Sequence, residues 1–125
     1  MPVGGLAVTS AGNLTYAQNI IHAVGPNWNE HKTEEKLMVQ CLKCCIFNIL
    51  DTSSYMGAKT LAMPSISTGT YGFPAELNGY ITIQCVLDWC MACETRGLKS
   101  IKLCNFDPAT HDAFCRAFNT IHTKY

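Results

Sequence analysis

The feature that most restricts this chain is a long amphipathic run set between short apolar ones. Met38, Leu42, Cys45 and Ile49 recur at the spacing of one α-helical face. A stripe of that kind has to be buried against another element. The partners are at hand: Leu6–Thr9, Asn19–Val24, Lys59–Met63 and Ser100–Cys104 are short, apolar and bounded by turn signals, the marks of β-strands. Thr33 stands where an N-cap belongs, with Glu34 and Glu35 at the positive end of the helix dipole. A helix from there ends near Tyr55, with Gly57 as its stop. Pro74 suits the first turn of a second helix, where its missing N–H costs nothing. That helix runs to about Arg96, with Ile81, Cys85, Trp89 and Cys93, or Val86 and Cys90, inward, and Gly97 ends it. Pro108 begins a third, carrying Phe114 and Phe118 one turn apart. Strands alternating with long helices predict an α/β layered sheet in a single domain over residues 1–125.

Composition narrows the partners. The chain has 125 residues, 48% of them apolar and 14% charged, a balance that excludes an extended disordered chain. Nine basic residues against nine acidic give no net charge, so the basic excess of a general nucleic-acid binder is absent. No apolar run approaches the roughly eighteen residues of a membrane span. Met1 to Gly5 lack the basic and apolar regions of a signal peptide. The expectation is a soluble protein of the cytoplasm or nucleus.

Eight cysteines raise the alternatives of a disulfide framework or a metal site. Cys41, Cys44, Cys45, Cys85, Cys90 and Cys93 sit among Leu, Ile, Val, Phe and Met, where a reduced thiol acts as a small buried hydrophobe. Cys104 follows a strand and Cys115 lies between Phe114 and Phe118. The pairs Cys41–Cys44 and Cys90–Cys93 have the two-residue gap of a zinc site, yet both fall within helical stretches. Core packing is the expectation, with no metal.

Chemistry concentrates in residues 67–74, between the end of an apolar strand and the start of a helix, the edge where open α/β sheets bind ligands. Gly69 and Gly72 let backbone N–H groups turn toward one point, and the helix start adds positive potential. Ser67, Thr68 and Thr70 add hydroxyls. The loop has neither the lysine of a phosphoryl-transfer loop nor the spacing of a dinucleotide fingerprint. From spacing alone it is either an anion cradle for phosphate or diphosphate or a tight structural turn. Phe106 follows the last strand at the same edge, where an aromatic stacks on a nucleobase or anchors a helix. Tyr71 and Phe73 face the same choice, and their place on a glycine-rich loop favours the ligand. His22, within a strand, is expected to be a satisfied core histidine. His31, His111 and His122 have no ligand spacing, and no acid–base pair or nucleophile motif stands out.

Three ordered motifs carry a further resemblance. Residues 5–14, residues 20–28 and residues 63–74 resemble, in order and spacing, a macro domain, with the flavour of those attached to vertebrate ADP-ribosyltransferases. The likeness extends through the last helix. It implies a three-layer α/β/α fold with a mainly parallel or mixed sheet, lacking the family's N-terminal strands. It implies ADP-ribose, free or on proteins, as the ligand, with no cofactor. Ser67, Thr68, Gly69, Thr70, Tyr71 and Gly72 become the diphosphate loop, with Phe73 next to it among the ligand-binding residues, Tyr71 the aromatic beside the distal ribose, and Phe106 the adenine-stacking position. The family's adenine-reading aspartate and its second glycine-rich loop have no counterpart before Pro2. The implied role is therefore non-catalytic binding of weakened affinity. A protein-interaction or oligomerisation module and, lowest, an ADP-ribosyl hydrolase are the alternatives. One of the family's strands lies between those matching Asn19–Val24 and Lys59–Met63. Either these two close up and pair, or another chain completes the sheet, giving a homo-oligomer through exposed edges.

Overall fold

The computed structural model describes residues 2–92 and 97–123. Strand β1 (Leu6–Ser10) turns at Gly12 and pairs antiparallel with β2 (Asn19–Ala23), Val8 opposite Ile21. A single 3-10 turn, Trp28–Glu30, follows inside what the sequence presents as a polar loop, and the Asn27 side chain caps it by accepting from the Glu30 N–H. Helix α1 (Glu35–Tyr55) leads to β3 (Thr60–Met63), α2 (Ala75–Ala92), β4 (Ser100–Leu103) and α3 (Pro108–His122). Strands β3 and β4 are parallel, Leu61 beside Ile101. The sheet is thus half antiparallel and half parallel, and it is not continuous: β2 and β3 share no ladder. Of the two arrangements the resemblance left open, direct pairing of these two strands does not occur among the described residues.

The amphipathic stripe is where the sequence puts it. Met38, Leu42, Cys45 and Ile49 are all buried, together with Ile46 and Leu50. From the other elements Met63, Phe73, Ile81, Cys85, Trp89 and Leu98 join them in one core. The Trp89 indole N–H donates to Asp51 Oδ1 at 2.8 Å, satisfying the one polar atom of a large buried ring and tying α2 to α1. Of the two faces open to α2, that of Ile81, Cys85 and Trp89 enters this core, while Ile83 packs on Phe114, Ala117 and Ile121 of α3. The hairpin between α1 and β3 closes through Gly57, at φ +77°, whose N–H reaches the Ser54 carbonyl at 3.0 Å. No described helix is long and apolar enough to cross a membrane.

Four expectations change. Helix α1 is capped at Glu34 rather than Thr33, because the Glu34 N–H is drawn back to the His31 carbonyl at 2.9 Å and its carboxylate to His31 Nδ1 at 3.2 Å. Phe118 is half exposed and stacks on His122, ring centroids 5.6 Å apart, because the buried face of α3 runs through Phe114, Ala117 and Ile121. His22 is exposed, its Nε2 paired with Thr9 Oγ1 at 3.0 Å across the hairpin, not a core residue. Among the cysteines, Cys45 and Cys85 are buried, Cys41 is half-buried, and Cys44, Cys90, Cys104 and Cys115 are exposed. Burial pushes the Cys45 and Cys85 thiols up to about 11. Cys41 and Cys44 lie in α1; of the second pair, Cys93 falls outside the described residues, as does the end of α2 expected at Arg96.

Candidate functional site

The segment from Pro64 to Pro74 leaves the C-terminal end of β3 and enters α2. Its conformation is set from both ends. At the start, the Asn105 side chain, just past β4, accepts from the Ser65 N–H at 3.0 Å. Within it, Ser65 Oγ and Thr68 Oγ1 bond to each other. Asn78, fully buried in the first turns of α2, donates from Nδ2 to the Ile66 carbonyl at 2.6 Å, and Thr82 Oγ1 donates to its Oδ1 at 3.2 Å. At the far end the Phe73 N–H returns to the Ser67 carbonyl at 2.9 Å, and the Gly72 N–H to the Gly69 carbonyl at 3.0 Å.

Two backbone positions are left-handed: Gly72 at φ +73° and Ser67 at φ +69°. For glycine this is free; for serine it is an uncommon state held by its surroundings. Between these two inversions, Thr68, Gly69, Thr70 and Tyr71 make no backbone N–H hydrogen bond among the described residues. A run of unspent N–H groups between left-handed residues, with a helix N-terminus behind it, is suited to an anion.

The loop after β2 forms the floor. Gly25 lies so close to Ser67 and Ile66 that a Cβ there would stand 2.2 Å from Ser67 Oγ. The Asn29 N–H donates to the Tyr71 carbonyl and its Nδ2 to the Thr70 carbonyl, both at 3.1 Å. These bonds take up carbonyls that would otherwise repel an anion. Asn29, which no sequence motif singles out, is thus a positioning residue; its only signal is its place in a polar stretch just after Gly25-Pro26.

The proposed ligand residues separate once placed. Gly69 and Thr70 are exposed, Tyr71 is 40% exposed, and Phe106 stands free in solvent immediately beyond Asn105. Thr68 is half-buried with its hydroxyl spent on Ser65. Ser67 contributes backbone only: its Oγ is buried beneath Gly25. Phe73 is a correction. It is 1% exposed, packed on Trp28 with centroids 4.8 Å apart, because the return bond to Ser67 turns the chain inward there. Its ring anchors the loop to the core and does not face a ligand.

This geometry has known counterparts. The chain is 37% identical over 117 residues to a Pantoea vagans protein named O-acetyl-ADP-ribose deacetylase 1, covering 94% of this chain and 65% of that one. It is 41% identical over 86 residues to mouse protein mono-ADP-ribosyltransferase PARP9, covering 67% of this chain and 10% of that protein. A solved Oceanobacillus iheyensis macrodomain variant with ADPR superposes with a TM-score of 0.87 at 25% identity, covering 98% of this chain and 62% of that one. The chain therefore spans less than two thirds of the length of these relatives. The family model for the macro domain matches residues 1–78, from β1 through the whole of the loop just described. With that match across more than half its length, and with the α/β fold agreeing throughout, this chain belongs to the macro domain family.

Proposed function

We propose that this macro domain recognises ADP-ribose, free or attached to protein, without turning it over. The observation that carries the reading is the row of unspent N–H groups from Thr68 to Tyr71, held between two left-handed residues at the start of α2. It is a cradle for a diphosphate. Tyr71 and Phe106, both exposed at this edge, offer ring faces to the ribose and the adenine. Between Ser65 and Phe73 there are hydroxyls and a phenol but no carboxylate or imidazole, so the loop supplies binding groups and no general base. Support also comes from the ADPR named with the Oceanobacillus structure. Calorimetric titration with ADP-ribose, set beside AMP and adenosine, tests it. Binding that needs the diphosphate fits; equal binding of adenosine alone would place recognition elsewhere.

A second reading has one observation in its favour: the Pantoea relative is named as a deacetylase of O-acetyl-ADP-ribose. Incubating the chain with that ester and following acetate release separates the two. Turnover above the buffer rate would replace recognition by hydrolysis. A chain that binds none of these compounds would be an interaction module.

A further inference from the structure

Helix α3 buries the face that runs through Thr110, Ala113, Phe114, Ala117 and Ile121. His111 and Cys115 stand outside that face, both exposed. Among the histidines His111 has no ligand spacing, but Cys115 follows it by four residues, and side chains so placed are neighbours on a helix. The Cys115 Sγ lies 3.5 Å from His111 Nε2. A zinc-type cation bound at about 2.3 Å to sulfur and about 2.0 Å to nitrogen, in tetrahedral geometry, holds those two atoms about 3.5 Å apart. The pair thus already spans one edge of such a site.

The backbone that carries the two donors is fixed before any cation arrives. Asp107 caps the first turn by accepting from the Thr110 N–H and from its hydroxyl, both at 3.0 Å. Thr110 and Phe114, each preceding one of the donors in the chain, are buried, and Phe114 packs on Ile83 of α2. Donors set in place in this way lose little freedom on binding. Local charge also favours a cation. Arg116, next to Cys115, is tied to Glu76 of α2 through Nε at 2.9 Å and through a terminal nitrogen. Asp112 lies close to the same guanidinium. Two carboxylates against one guanidinium leave an excess of negative charge before the thiol ionises.

We propose that His111 and Cys115 form an open, two-donor site for a thiophilic divalent cation of the zinc class. Cys115 gives its proton to solvent and binds as the thiolate; His111 binds through an unprotonated Nε2, its proton on Nδ1. A sulfur beside an imidazole nitrogen selects zinc or cobalt over magnesium and calcium, which take oxygen donors. Among the described residues no group of three His, Cys, Asp or Glu side chains is placed to hold a metal, so water fills the remaining positions. The proposal is independent of the nucleotide site.

The test is zinc titration of the reduced, isotope-labelled chain, followed by NMR. The Cys115 Cβ and His111 ring resonances are expected to move together in one saturable step, while magnesium leaves both in place. Cobalt in place of zinc should give a thiolate-to-metal charge-transfer band that Cys115→Ser diminishes. His111→Gln is expected to weaken zinc binding at Cys115 about tenfold or more, since losing even an outer partner of a metal site costs that much. Both positions are exposed, so the two variants should melt within a few degrees of the parent. A Cys115 shift that His111→Gln does not weaken is zinc on a solitary thiol and overturns the proposal. A cobalt band that Cys115→Ser leaves intact does the same. So does the absence of any saturable shift, which leaves a thiol–imidazole hydrogen bond alone.

Discussion

Gly69→Glu separates the anion cradle from a merely structural turn. Gly69 is exposed, its φ is not left-handed, and a Cβ built on it meets nothing within 4 Å. The fold should therefore accept the side chain, and the melting temperature should stay within a few degrees. The carboxylate, however, lands beside the unspent N–H groups. Taking about 5 Å to a diphosphate of two charges and, because the site is exposed, the dielectric of water, the repulsion is about 0.8 kcal/mol per charge pair. The sum, about 1.7 kcal/mol, corresponds to roughly a 15-fold rise in Kd at low salt. At 1 M salt the screening length falls to about 3 Å and the penalty should shrink to less than about twofold. The assay is ADP-ribose titration at both ionic strengths, with Gly69→Gln as the uncharged control. Two results would refute the reasoning: a Kd unmoved at low salt, which removes the phosphate from this loop, or a penalty shared by Gly69→Gln and indifferent to salt, which makes the effect steric.

Gly72→Ala combines a strained φ of +73° with a Cβ 2.4 Å from the Asn29 side-chain amide; a loss of about 1–3 kcal/mol in urea unfolding and weaker ADP-ribose binding are expected. Leu42→Ala empties a fully buried position and should cost about 2–5 kcal/mol in the same assay while leaving the loop intact. The Asp107 carboxylate is held below its usual range by the Thr110 N–H and then its hydroxyl. Its contribution is present above the ordinary carboxylate pKa and lost as pH falls through the lowered one, so Asp107→Asn should flatten the acid limb of a pH–stability profile. Cys45 and Cys85, raised from 9.0 to about 11 by burial, keep their protons when folded and lose them when unfolded. Stability should therefore fall between those pH values, and iodoacetamide at pH 8 should modify exposed Cys44, Cys104 and Cys115 before either of them.

Local chemistry made much of the fold legible. Periodicity identified the buried stripe of α1, and Gly57 and Pro74 marked where helices end and begin, because caps and turns are decided by neighbours in the chain. Errors arose where the competing partner was distant. Phe118 had helical spacing from Phe114, but which side of α3 is covered depends on α2. Cys44 and Cys90 had apolar neighbours in sequence and yet face outward.

The site divides in the same way. The sequence by itself determined that a glycine-bearing loop joins an apolar strand to a helix start, and that its motif is a macro domain's, since turn geometry and helix dipoles depend on residues close in the chain. Only the tertiary structure decided which side chains face outward. Phe73 is taken by the core through Trp28, the Ser67 hydroxyl is closed off by Gly25, and Asn29 is brought from the 3-10 turn after β2 to hold the loop carbonyls. Each of those outcomes depends on a partner about forty residues away in the chain, and burial is a property of what packs against a residue, not of the residue.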